Sequence, residues 1–244
     1  MNYKLLSSSL SIVLAIFLIG HNSLSFNPIR FHCPNYILNS YLYLFLSIAI
    51  LASSILSIES QDVNINKLFA GNSKYLLLIL SLMIIFGLVS MSPKYFLTKH
   101  ILWIMFIILL GVFLYPIYKE KRSIFYQAGL TTIAIITALS FLAFMKPDLI
   151  KDSWFMPLFI GLIALIVSQI SERLLANWGI IHATKYNKLF SYIAIGLFSL
   201  WTLFDTKQII KNAENCVNPD YINQSLDVLL DSLNIFTGIV NISE

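Results

Sequence analysis

Three aspartates sit in stretches that are otherwise apolar: Asp205 near the end of one run, and Asp227 and Asp231 inside another, which reads Ser225-Leu226-Asp227-Val228-Leu229-Leu230-Asp231-Ser232-Leu233-Asn234-Ile235-Phe236. An ionised carboxylate near a bilayer centre costs at least ~2.5 kcal/mol, so Asp231 must face a protein interior or a water-filled path. Two carboxylates within a few ångströms in a low dielectric cannot easily both ionise; they share a proton or hold a cation between them. Carboxylate oxygens suit a hard cation such as calcium. The chemistry on offer is proton and cation exchange. Asp205 and Asp231 are the predicted ligands of such a cation, held transiently, and no cofactor is expected.

The elements that must position these groups are helices. Gln224, Asp227, Asp231, Asn234, Gly238 and Asn241 follow one another at steps of three or four residues, which lays one polar stripe on one helical face. The aspartates of that stripe, supported by Gln224, Asn234 and Asn241, form the candidate ion path and pH sensor. Asn218-Pro219-Asp220 is predicted to start the helix, with Asn218 as the cap, a proline at the first helical position and an acid at the positive end of the dipole. The preceding helix is expected to run to about Asn212, which makes the two antiparallel neighbours. At roughly 1.5 Å per residue, Asp205, Asp227 and Asp231 then lie about 8 to 13 Å from the turn, nearly at one level.

Composition gives the class. Of 244 residues, 58% are hydrophobic and only 11% charged, with a mean hydropathy of +0.79; soluble domains carry about 25% charged residues. The chain is therefore predicted to be an all-α, polytopic membrane bundle of seven transmembrane helices. The spans are Tyr36 to Ser57, Tyr75 to Ser92, Ile101 to Tyr118, Ile124 to Met145, Trp154 to Ser171, Leu189 to Phe204 with its continuation, and Ile222 to Asn241. Their connections are short, so consecutive helices should be antiparallel neighbours in one domain, 36–244. Upstream, Leu5 to Gly20 is an apolar run just below the usual spanning length of about 17 residues. Residues 1–35 therefore read either as a targeting or signal-like segment or as an extra helix. Lysines and arginines divide almost evenly between alternate loops, so charge does not set the orientation. They form no basic run, and no nucleic-acid partner is expected.

Other polar groups read as structural. Glu172 and Arg173 end the fifth span and read as a solvated or snorkelling pair, with a gate element as the alternative. Thr131, Thr132, Thr137 and Ser140 are expected to bond their own backbone or a neighbouring helix. Trp154 and Trp178 are predicted interfacial anchors, and Trp201 a packing residue. The histidines are scattered, and Cys33 and Cys216 offer neither metal spacing nor a disulfide framework.

The run Leu203-Phe204-Asp205-Thr206-Lys207-Gln208-Ile209-Ile210, then Ala213-Glu214, Asp220-Tyr221-Ile222, Leu226 to Asp231, and Leu233-Asn234-Ile235-Phe236, resembles the C-terminal signature of the transmembrane Bax inhibitor motif family in order, spacing and chemistry. Gln127 to Thr132, Ala138-Leu139-Ser140 and Lys146-Pro147-Asp148 are similar to that family's fourth membrane helix and its exit. The resemblance implies that the residues matching Asp205 and Asp231 form a pH-sensitive pair controlling calcium leak, with suppression of cell death. It also implies a cytosolic segment before the first shared helix, which would place the Asp205 side of the last hairpin in the cytosol. The expected membrane is the endoplasmic reticulum or another internal membrane in a eukaryote, or the plasma membrane in a bacterium. Expected partners are the lipid bilayer, calcium, and cell-death regulators or membrane proteases. The alternative is a membrane-embedded regulator that binds such proteins without ion flux. An intramembrane aspartyl protease would need a Gly-x-Gly-Asp pattern; Asp205 follows Leu203-Phe204, so the chain is not expected to be an enzyme.

Overall fold

The structure, a computed structural model, describes Cys33 and residues 35–61, 73–177 and 184–243. Regular structure among the described residues is helical: α1 (Tyr36–Ser60), α2 (Ser73–Ser90), α3 (Phe96–Glu120), α4 (Arg122–Met145), α5 (Phe155–Asn177), α6 (Thr184–Glu214) and α7 (Tyr221–Ile242). Short 3-10 turns, Pro147–Leu149 and Asp152–Trp154, join α4 to α5. Six of the helices are long and apolar enough to cross a membrane, and α2 is a shorter apolar helix. Leu76, Phe86, Leu130 and Ile160 project from these helices largely exposed, a surface suited to hydrocarbon rather than water. The chain is a multi-pass integral membrane protein. The run Leu5 to Gly20 and Trp178 lie outside the described residues.

The helices fall into two compact units, the described part of Met1–Arg122 with Asn212–Leu226, and Ser123–Lys211 with Asp227–Glu244. In the first, α1 and α3 approach closely at Gly111, where a Cβ would lie 1.7 Å from Ser54 Oγ and 3.2 Å from the Leu51 carbonyl oxygen. Small residues at a membrane-helix crossing let backbones come together. Trp103 Nε1 donates to Ser47 Oγ at 3.1 Å, and Tyr43 Oη meets His100 Nε2 at 2.8 Å. His100, which reads as a span-end residue in the sequence, thus belongs to the packing of this unit.

Lys99 is the least expected feature of the first unit. It reads as a loop lysine, yet its side chain is 0% exposed and its Nζ lies 2.6 Å from Asp220 Oδ2 and 2.8 Å from the Met91 carbonyl oxygen. Breaking a buried pair of this kind costs about 3 to 5 kcal/mol, because one charge is left without a partner. Asp220 also caps α7: its Oδ1 accepts the Asn223 N–H at 3.3 Å. The cap is therefore Asp220 and not Asn218, and α7 starts two residues after Pro219.

Cys33 and Cys216 form a disulfide with Cα atoms 5.8 Å apart, which corrects the reading of two isolated cysteines. A separation of 183 residues hides the pairing in the sequence. It becomes visible once the start of α1 and the turn before α7 meet, as the Tyr36 and Tyr221 rings also do at 5.2 Å. Denatured, unreduced protein should accordingly take up no maleimide, and reduced protein should take up two equivalents, matching its two cysteines. Labelling before reduction would contradict the bridge.

In the second unit, Ala143, Ile150, Leu158, Leu203 and Phe204 form a buried cluster, with Trp154 and Trp201 packed against it. The packing role expected of Trp201 is met; Phe155 also contacts its ring edge-on at 5.9 Å. Lys207 Nζ donates to the Ile150 carbonyl and pairs with Asp152 Oδ1 at 2.9 Å, while Lys211 reaches Asp152 Oδ2 at 3.1 Å. These contacts hold the α4–α5 connection against the second half of α6. Thr132 bonds its own backbone at Ala128, and Ser140 meets Thr206 of α6 at 3.3 Å, as expected of hydroxyls inside a span.

Candidate functional site

The polar stripe of α7 opens onto a cavity of about 590 Å³ inside the second unit. From α7 the cavity is lined by Asp227, Asp231, Asn234, Gly238 and Asn241, and from α6 by Asp205. The spacing of three and four residues is what gathers the α7 groups on one side, since each step advances the helix by close to one turn. Gly238 serves a different purpose from its polar neighbours. A Cβ there would lie 2.8 Å from Ile195 Cγ1 and 3.2 Å from the Ser191 carbonyl oxygen, so its missing side chain lets α6 and α7 close up. Gln224 falls outside the cavity: it accepts from Asn212 Nδ2 at 3.1 Å in the first unit. Asn234 lines the cavity while donating to its own helix at the Leu230 carbonyl, 2.8 Å away.

The three acids are not equivalent. Asp231 is only 5% exposed, Asp205 is half-buried, and Asp227 is exposed. The carboxyls of Asp231 and Asp205 lie within hydrogen-bonding reach of each other. A carboxylate is acceptor-only, so this contact becomes a hydrogen bond only when one of the two carries a proton. The Oδ2 atom of Asp231 is buried with no hydrogen-bond donor among the described residues, which is costly for an ionised group. Either a proton or a cation relieves both problems.

Thr202 completes the surroundings of Asp231. Its hydroxyl is 0% exposed, donates to the Phe198 carbonyl oxygen at 2.9 Å and also meets the Asp231 carboxyl. One hydroxyl has one hydrogen. With Asp231 protonated, Thr202 accepts from it and keeps its own bond to Phe198; with Asp231 ionised, Thr202 must give that bond up to serve the carboxylate.

Sequence reasoning missed Thr202 beside the site, and in the lining it missed Gln169 and Glu172 of α5, Asn187 and Ser191 of α6 and Thr237 of α7. A signal was present in α6, where Asn187, Ser191, Ala194, Phe198, Trp201 and Asp205 follow at steps of three or four residues and all line the cavity. Two large apolar rings interrupt the polar pattern and conceal it. Glu172 reads as an interfacial residue from its place at the end of a span; its Oε1 is in fact buried with no hydrogen-bond partner among the described residues. Groups of three or more histidine, cysteine or acidic side chains able to hold a metal are absent among the described residues.

A multi-pass helical membrane protein with carboxyls from two helices lining a cavity is the class this architecture defines. The chain belongs to the Bax inhibitor family: the family profile described as "Inhibitor of apoptosis-promoting Bax1" matches residues 33–243. It is similar to the growth hormone-inducible transmembrane protein of Rattus norvegicus, with 26% identity over 211 residues that cover 82% of this chain. The chain spans 60% of the length of that relative.

Proposed function

We propose that the protein is a pH-sensitive calcium leak channel in which protons and calcium compete for the Asp205–Asp231 pair, contributing to calcium homeostasis and to suppression of cell death. The observation that carries this reading is the approach of two membrane-embedded carboxyls at the wall of a cavity, one of them with a buried oxygen that has no donor among the described residues. A proton shared between them ties α6 to α7. Its loss leaves like charges face to face, which part unless a cation bridges them. The cavity has a polar stripe set among apolar side chains and is far larger than a single water, so a hydrated ion can be served along that stripe. The reading involves no covalent chemistry and no cofactor; the acids act only by exchanging a proton and calcium.

A second reading is favoured by the family's description as an inhibitor of an apoptosis-promoting protein: a membrane-embedded regulator that binds cell-death proteins or membrane proteases without ion flux. Calcium uptake by liposomes containing only the purified protein separates the two. Uptake above protein-free liposomes supports the channel, and its absence from folded protein supports the regulator.

The disulfide bears on location. Such bonds persist in oxidising compartments, so we read the Cys33–Cys216 end as facing the lumen of an internal membrane system or the outside of a cell. This is opposite to the cytosolic placement that the family resemblance implies for that side of the last hairpin.

A further inference from the structure

Glu172 is a half-buried acid lining the cavity, with one shielded carboxylate oxygen, that the paired aspartates do not account for. It lies near the end of α5. Short connections make α5 and α6, and then α6 and α7, antiparallel neighbours, so the end of α5, the start of α6 and the end of α7 share one end of the cavity. There Glu172 is accompanied by Gln169, Asn187 and Asn241. Counted along α6 at ~1.5 Å per residue, Asn187 lies roughly 27 Å from Asp205, and along α7 Asn241 lies about 15 Å from Asp231. The polar lining thus extends over a large part of a hydrocarbon core of about 30 Å.

The chemistry at this end is that of a cation site. The Oε1 atom of Glu172 is shielded from solvent and has no hydrogen-bond donor among the described residues, an arrangement that costs free energy unless something positive visits. The amide oxygens of Gln169, Asn187 and Asn241 are further ligands of the kind a hard divalent ion takes. Among the described residues, those lining the cavity include neither lysine nor arginine. A single carboxylate with neutral oxygens binds weakly, and a path needs sites that capture an ion and then release it.

We propose that Glu172, with the amides of Gln169, Asn187 and Asn241, is an entry station that holds calcium before it passes to the aspartates. This rests on the reading of the cavity as an ion path, and the test keeps the two apart. Calcium uptake by proteoliposomes is measured against calcium concentration for the intact protein, Glu172→Gln, Glu172→Asp and Asp231→Asn. Terbium(III) binding is followed in the same proteins through emission sensitised by Trp201, which lines the cavity.

Glu172→Gln should raise the half-saturating calcium concentration roughly fivefold or more while leaving maximal flux within about twofold, the signature of lost binding without lost transport. Its pH midpoint should not move, and Glu172→Asp should recover most of the affinity. Terbium should bind the intact protein in two phases, one removed by Glu172→Gln and the other by Asp231→Asn. Superimposable calcium and terbium curves for Glu172→Gln and the intact protein would overturn the station and leave the aspartate path standing. Terbium binding that depends on Glu172 in a protein that passes no calcium would overturn the path and keep the site. Loss of both terbium phases in Glu172→Gln would show a structural role and overturn the station.

Discussion

Replacing Asp231 with asparagine is expected to lower calcium flux at least about tenfold, whereas Asp227→Asn should retain about a third or more, because ligand charge sets the affinity of an oxygen site for calcium. The two residues share a helix and a face, so the difference must come from their surroundings. Asp231 is buried, with one oxygen lacking a donor among the described residues and its carboxyl meeting Asp205 and Thr202. Asp227 lines the same cavity but is exposed, where solvent already screens its charge. Asparagine preserves the size of the side chain, so folding should survive, and elution as a single species checks that. Equal, undiminished flux in both mutants would remove the calcium path and leave the regulator reading.

The second large effect is expected on the pH response. In the intact protein the shared proton holds α6 and α7 together at acid pH; as pH rises the proton leaves, repulsion between Asp205 and Asp231 grows, and flux rises toward neutral pH. Asp205→Asn keeps a hydrogen-bonding side chain at that position but leaves one acid at the contact. No like-charge repulsion can then build between the two helices at this point. Asp227 also acts on Asp231 electrostatically, so a weak residual slope is expected rather than a flat line. The check is the ratio of flux at neutral to acid pH, measured with mutant and intact protein side by side. The mutant ratio should fall to within about twofold of unity, since a single acid titrates without a partner. Superimposable profiles would show that the pair is not the switch.

Much of this arrangement is legible in the sequence because membrane helices obey a short list of constraints. Span length and the absence of charge locate all seven helices among the described residues, and the three-and-four spacing in α7 places Asp227, Asp231, Asn234 and Asn241 on one cavity wall. What escapes is whatever depends on pairing between distant segments. Lys99 is a loop lysine until Asp220 is brought within 2.6 Å of it. Cys33 and Cys216 are unremarkable until the turn before α7 meets the start of α1. Gln224 follows the same periodicity as the aspartates and yet belongs with Asn212, because a stripe gives direction around a helix and not what lies opposite each turn. Glu172 is mistaken for an interfacial charge for the same reason.

The central claim is that a proton and calcium compete for one carboxylate pair. Competition of this kind has a linkage signature: calcium binds the deprotonated pair, so added calcium should displace the proton and let the path open at lower pH. The most direct measurement is calcium uptake by liposomes containing only the purified protein, followed from acid to neutral pH at several calcium concentrations. The account predicts uptake that rises with pH, with a midpoint that moves to lower pH as calcium is raised. A midpoint that stays fixed over a hundredfold range of calcium, or uptake no greater than in protein-free liposomes at every pH, would contradict it.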